Sequence, residues 1–243
     1  MSLTMLLVGV VTMLLASVVG GMAGFAMSLL SAPSLLLAGF GFAEVVVVNL
    51  TATLVSRIAV LWTFRDVVDR RRVGLLVSGS APGAVAGALT VGYLDQHVLT
   101  VATGIVVTVL GVLLLVAGRR TGPEPRAPEF VGTGVVGGFL STSISLNGPP
   151  VAILLHRTRL EPVQFVADFA GYFVVTNTVS LLILGVHGAI PTSILWPALP
   201  ALVVAALIGN RLGTRLTTRI PQAMFRTVVS ALIVASGIVV IVS

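Results

Sequence analysis

The side chains best suited to hold a ligand lie in two stretches of otherwise apolar sequence. From Val135 to Leu155 the chain reads VVGGFLSTSISLNGPPVAILL, and from Val18 to Ala38 it reads VVGGMAGFAMSLLSAPSLLLA. Laid over each other without a gap, the two share VVGG at the start, a Ser in the middle and a Pro near the end. Gly148 permits a turn, and Pro149–Pro150 suit the first turn of a helix, whose leading N–H groups need no internal partner. Ser145 or Asn147 is placed to act as N-cap. The earlier stretch repeats the design with Ser31 as cap, followed by Ala32–Pro33. Each stretch therefore predicts a short helix that starts at mid-depth in a membrane, with its positive dipole end facing a cavity. Two such ends converging from opposite sides, lined by Ser28, Ser31, Ser141, Thr142, Ser143, Ser145 and Asn147, would hold a small oxyanion without buried cations. The candidate substrate-binding set is Ser28, Ser31, Ala32, Pro33, Asn49, Thr142, Ser143, Ser145, Asn147, Gly148 and Pro149.

Two charged residues stand apart from this set. Arg57 is the one arginine outside the loops, and Asp168 lies about five residues inside a later apolar run, roughly 7 Å from its boundary. An intramembrane charge is a functional candidate by default, so both are candidates for charge or proton coupling. Arg57 can instead snorkel to the nearby membrane face. Asp168 can pair with Arg57, relay a proton or face cytoplasmic water. Asn49, Thr51 and Thr53 on one crossing, with Thr176 and Asn177 on another, flank the expected cavity; singly, such residues more often glue helices together. His97, His156 and His187 sit at loop boundaries without ligand spacing, so neither a metal nor a cofactor is expected.

Composition says what must position these residues. Of 243 residues, 56% are hydrophobic and 9% charged, against about 25% charged in an ordinary soluble domain. That identifies an integral membrane protein. The net charge of +6 comes from arginine clusters between apolar runs, which fits orientation in a bilayer and not nucleic-acid binding. Cysteine is absent, so disulfides and thiolate chemistry are excluded. The N-terminal run lacks a basic n-region and continues into further apolar sequence, so it reads as a first membrane segment in preference to a cleaved signal peptide.

A crossing needs roughly 20 apolar residues. Six runs qualify: Glu44–Phe64, Val73–Leu94, Val98–Ala117, Val163–Gly185, Ile190–Arg211 and Ala223–Val242. Leu3–Ala38 and Phe130–Leu155 are ambiguous and contain the paired motif. Loop arginines fall at 65–72 (Arg65, Arg70, Arg71, Arg72), 118–129 (Arg119, Arg120, Arg126), 156–161 (Arg157, Arg159) and 211–222 (Arg211, Arg215, Arg219), with Arg226 just beyond. All reach the cytoplasm only if Phe130–Leu155 dips in and returns as a hairpin, re-entrant or fully spanning. Each half then holds a broken hairpin and three crossings, about eight helical segments in all, and the two halves enter the bilayer in opposite orientation. The expected architecture is an all-α membrane protein of two inverted-topology repeats, 1–117 and 130–243, joined by a cytoplasmic linker at 118–129. Both termini are extracytoplasmic in this scheme.

The two motifs, each opening one half of a chain of this length, resemble the TauE/SafE-type sulfite exporters, as does the basic break GRRTGPEPRAPE. Members of that family often carry a longer glycine run before the proline, where this chain has Ser-Leu-Leu-Ser-Ala-Pro and Ser-Leu-Asn-Gly-Pro-Pro. The resemblance implies a multi-pass cell-membrane permease, not an enzyme, for a small sulfur oxyanion or organosulfonate. The expected partners are that anion, membrane lipid and a coupling proton or cation; a homo-oligomer is compatible. An inverted repeat with its substrate near the midplane implies alternating access. There is no lysine and hence no Walker motif to supply ATP drive. An anion channel or a membrane subunit of a larger complex is the alternative class. An intramembrane hydrolase lacks its partners, since no His accompanies a deep Ser and Asp168 has no second carboxylate beside it.

Overall fold

A computed structural model describes residues 2–23, 26–117, 123–158, 160–216 and 222–242. Among them the chain is helical, with no strand. The first half comprises α1 (Leu3–Ala23), α2 (Ala26–Leu37), α3 (Phe42–Phe64), α4 (Arg70–Val91) and α5 (Gln96–Ala117). The second comprises α6 (Ala127–Ile144), α7 (Gly148–Arg157), α8 (Pro162–Val186), the short α9 (Thr192–Leu195), α10 (Ala198–Leu216) and α11 (Gln222–Val242). Among the described residues, six helices are long and apolar enough to cross a bilayer: α1, α3, α4, α5, α8 and α10. The chain is a multi-pass membrane protein. Eleven α-helices replace the expected eight segments because each hairpin is two helices and the run from Ile190 is divided at Trp196–Pro197.

Both ambiguous regions double back. In the first, Gly20 of α1 packs on Met27 of α2, while Gly9 faces Phe40, just past the end of α2. The second shows the same reversal, with Val136 and Pro150 at the inner end of one groove and Glu129 and Arg157 at its rim. There the Arg157 guanidinium donates to Glu129 at 2.7 Å and to the Pro123 carbonyl at 3.1 Å. Local chemistry explains the boundaries. Pro128, Pro149 and Pro162 occupy first turns, where a missing N–H costs nothing. At the end of α2 the chain turns through Gly39, whose φ of 91° suits a residue without Cβ.

Helix pairing exchanges between the halves. Helix α4 packs along α6 and α10 along α1, each pair in parallel through glycine seams. A Cβ on Gly138 would collide with the Ser80 carbonyl, and one on Gly213 with that of Val18. Only glycine allows backbones this close. The matching helices of the two halves meet antiparallel: Leu50 and Arg57 of α3 lie against Asn177 and Phe173 of α8, and Gly104 and Gly111 of α5 against Gly237 and Ile233 of α11.

These contacts also locate the arginines. Because α4 and α6 run parallel, Arg70–Arg72 and Arg126 share an end, and Arg157 is tied there through Glu129. Parallel α1 and α10 carry Arg211 and Arg215 to the same end, past Asn210, which lies beside Arg57. Arg119, Arg120, Arg159, Arg219 and the side chain of Arg226 fall outside the described residues.

Candidate functional site

The second break is built from local turn chemistry. Helix α6 ends at Ser145, whose φ of 57° is left-handed. The Ser145 N–H bonds back to the Ser141 carbonyl at 3.1 Å and Leu146 to that of Leu140 at 3.0 Å. Asn147 occupies the N-cap position of α7, but its side chain does not cap. Instead its amide donates to Asn177 Oδ1 at 2.7 Å and to Ser141 Oγ at 3.4 Å. Asn177 in turn donates to the Leu50 carbonyl at 3.3 Å. On the other side of the break, Asn49 donates to Ser145 Oγ at 3.1 Å and accepts from Ser31 Oγ at 2.6 Å. Ser141 and Ser180 pair at 2.8 Å, Ser80 and Thr176 at 2.9 Å. Thr142 donates to the Ala84 carbonyl and Ser143 to that of Phe139. All of these side chains are buried.

Most of the expected ligand cage is thus brought together, with Ser28 apart from it, yet its polar groups are spent on one another and on backbone carbonyls. A fully satisfied buried network fixes a structure and offers a ligand little. Two corrections to the sequence reading follow. Pro149 and Pro150 have no amide hydrogen, so the start of α7 is poor in the donors an anion needs. Ser31 is not a cap: α2 begins at Ala26, which leaves Ser31, Ala32 and Pro33 inside the helix. The first stretch has no counterpart of Asn147–Gly148 to stop a helix there, so the proline is carried within it.

An unfilled space lies two turns further along α3. A cleft lined by Met27, Ser28, Thr53, Ser56, Arg57, Phe173 and Asn210 leaves about 10 Å³, room for roughly one water molecule. The Arg57 guanidinium carbon stands 5.7 Å from the centre of the Phe173 ring, within cation–π range. Ser56 Oγ is buried and makes no hydrogen bond. The walls come from α2, α3, α8 and α10, and so from both halves. Of the expected residues, Ser28, Thr53 and Arg57 are here; Met27, Ser56, Phe173 and Asn210 were not anticipated. Asn210 was missed because the sequence places its crossing at Ile190–Arg211, whereas α10 runs from Ala198 to Leu216 and brings Asn210 well inside. Its being the lone amide in AALIGNRLG was the available signal.

Asp168 has a different partner from the one considered. One carboxylate oxygen accepts Arg72 Nε at 2.8 Å and the other accepts the Asp69 N–H at 2.7 Å. Asp69 caps α4, accepting from the amides of Arg71 and Arg72. It also meets the Arg72 guanidinium at 3.0 Å. Sequence spacing gave no sign of this, because the partners are 96 residues apart. At the opposite end Glu44 accepts from the Gly41 N–H at 2.9 Å and from the Ser193 hydroxyl at 2.7 Å.

Comparison with known proteins finds relatives named as membrane transporters. The family model for the sulfite exporter TauE/SafE matches residues 9–240. A probable sulfite/organosulfonate exporter TauE of Cupriavidus necator is 29% identical over 154 residues, 59% of this chain and 59% of that protein. A probable inner membrane transporter protein TsaS of Comamonas testosteroni is 28% identical over 169 residues, covering 69% of this chain and 70% of its own length. A shorter match, 29% over 102 residues, joins 40% of the chain to 76% of a fluoride-specific ion channel FluC 2 of Thermobifida fusca. No solved structure matches. The chain belongs to the TauE/SafE sulfite exporter family.

Proposed function

We propose that this protein is a secondary transporter of a small anion, a sulfur oxyanion or organosulfonate, working by alternating access between two inverted repeats. The arginine-rich end is cytoplasmic in this reading, as the positive-inside rule requires. The Arg57 cleft carries the proposal. Arg57 is an arginine two turns inside a membrane-spanning helix, where an ionisable residue is a functional candidate by default, and its planar fork matches an oxyanion with two parallel hydrogen bonds. Hydroxyls of Ser28, Thr53 and Ser56 and the Asn210 amide surround it, while Met27 and Phe173 give the wall an apolar part. Walls drawn from both halves are what a rocking mechanism needs at its substrate site. The cleft as it stands is too small for a sulfur oxyanion, which fits a closed conformation. The hydrogen-bonded network of Ser31, Asn49, Ser145, Asn147 and Asn177 then acts as the frame that keeps the broken hairpins in register. The name of the family and that of the Cupriavidus necator relative support the substrate class.

The test is flux in proteoliposomes loaded in turn with sulfite, thiosulfate, taurine, isethionate, sulfoacetate and acetate. Saturable uptake with counterflow is expected for at least one sulfur anion. Arg57→Ala should reduce it by about a hundredfold and Arg57→Lys by less, since lysine keeps the charge but loses the fork. Uptake by Arg57→Ala at the parent rate would remove the cleft from the reading. The short match to a fluoride-specific channel favours one alternative, an anion channel, which would carry current without saturation or counterflow. Proton coupling through Asp168 predicts that Asp168→Asn loses uptake driven by a pH gradient while still binding the anion.

A further inference from the structure

The charged cluster at the arginine-rich end is not needed to bind an anion at Arg57, yet it is among the most constrained features of the molecule. We infer that Asp69, Arg72 and Asp168 form a gate, a clasp between the halves that must open before the Arg57 cleft is reached from that end. The inference rests on the transporter reading.

Position is the first argument. Asp69 caps α4 and Arg72 lies in its first turn, both in the first half, whereas Asp168 belongs to α8 in the second. Asp168 precedes Phe173, a wall of the cleft, by about 7 Å along α8. The clasp therefore lies between the cleft and the arginine-rich surface. Beside it the backbone of α8 at Gly171 faces Val68 and Val73, so apolar contact closes the same joint.

Chemistry is the second argument. Asp168 is fully buried and its two oxygens are divided between Arg72 and the Asp69 amide. Arg72 is tied to both carboxylates, but its Nη2 is buried with no acceptor. A static brace would use that donor. A buried ion pair is a poor source of stability and a good source of conformational choice, because breaking it exposes charges that water can solvate. An oxyanion leaving Arg57 also meets in Arg72 a guanidinium with a hydrogen to spare. Asymmetry is the third argument. The residue aligned with Asp168 in the first half is Thr51, so the opposite face has no matching carboxylate. There the halves are tied by the exposed hydrogen bond from Ser193 to Glu44.

The absence of cysteine allows a direct test. Ser56→Cys places one thiol in the cleft. A membrane-impermeant maleimide, applied to oriented vesicles from the arginine-rich side, should label it about tenfold faster once Asp168→Asn or Arg72→Gln is added. Unchanged labelling in both variants overturns the gate. A second measurement covers the case in which neutralised variants fold poorly. A Cβ at Gly171 would stand 3.6 Å from Val68 Cγ1, so Val68→Cys with Gly171→Cys places two sulfurs within bonding reach across the joint. Oxidation should abolish most of the flux and reduction restore it; equal flux from the oxidised and reduced forms overturns the gate. Should the parent chain carry no anion at all, the transporter reading fails, and the labelling rates still decide the gate.

Discussion

The two hairpins share a sequence motif and are unlike in construction. In the first, α2 lies close along α1 and carries Pro33 within its length. In the second, α6 and α7 splay around an open groove of about 360 Å³, tied at the rim by Arg157 and Glu129. The second break is pinned from inside by Asn147 and Ser145, whereas among the described residues the first contributes Ser31 alone to that network. Features common to both halves, the apolar run lengths and the glycine seams, decide which helix packs on which. Features that differ, Asn-Gly-Pro-Pro against Ser-Ala-Pro, decide where the helix breaks. The two halves thus share their connections and not their polar sites, and the proposed anion cleft takes Met27 and Ser28 from the first hairpin without a counterpart from the second.

The largest expected effect tests the shared feature. Gly138→Val should cost about 3 kcal/mol or more, because the Ser80 backbone has no room to give way. Gly132→Val, six residues earlier on an open face with nothing near its Cβ position, should melt within a few degrees of the parent in detergent. Equal melting points would mean that the α4–α6 seam is not what holds the halves together.

An intermediate effect separates the two breaks. Asn147→Ala strands the Asn177 carbonyl oxygen in the interior and should cost about 2 kcal/mol. Ser31→Ala removes one donor from Asn49, which keeps its bond to Ser145, and should cost about 1 kcal/mol. The reverse order in a thermal melt would shift the centre of the network to the first hairpin.

The smallest effect concerns the prolines. Pro33→Ala restores an N–H able to reach the Leu29 carbonyl within α2 and should raise stability by about 1 kcal/mol. Pro149→Ala, in a first turn, should change it by a few tenths at most. If both behave alike, Pro33 marks a helix start after all.

Much of the fold could be read from the residues. Arginine placement called for Phe130–Leu155 to double back, and the chain there is two helices, α6 and α7, as it is two, α1 and α2, in Leu3–Ala38. Asn147–Gly148–Pro149–Pro150 marked the second break correctly, because each of those residues has its own reason not to continue a helix. Ser31–Ala32–Pro33 misled, since a proline alone tells helix start from helix interior only with its neighbours' help. The candidate site was half legible. Ser28, Thr53 and Arg57 could be picked out as polar residues in apolar runs, but Phe173 looks like any membrane phenylalanine. The Arg72–Asp168 pair depends on tertiary contact across almost a hundred positions, which no local pattern encodes.

The exchanged pairing of α1 with α10 and α4 with α6 bears on how the protein is made. Its opening helix leaves the ribosome with most of the chain still unsynthesised, and the surface meant for α10 must wait in lipid or in the insertion machinery. Neither half carries the partners its own hairpin requires, so each is an incomplete body until the other arrives. Halves produced as separate polypeptides should therefore be degraded singly and survive only when expressed in the same cell.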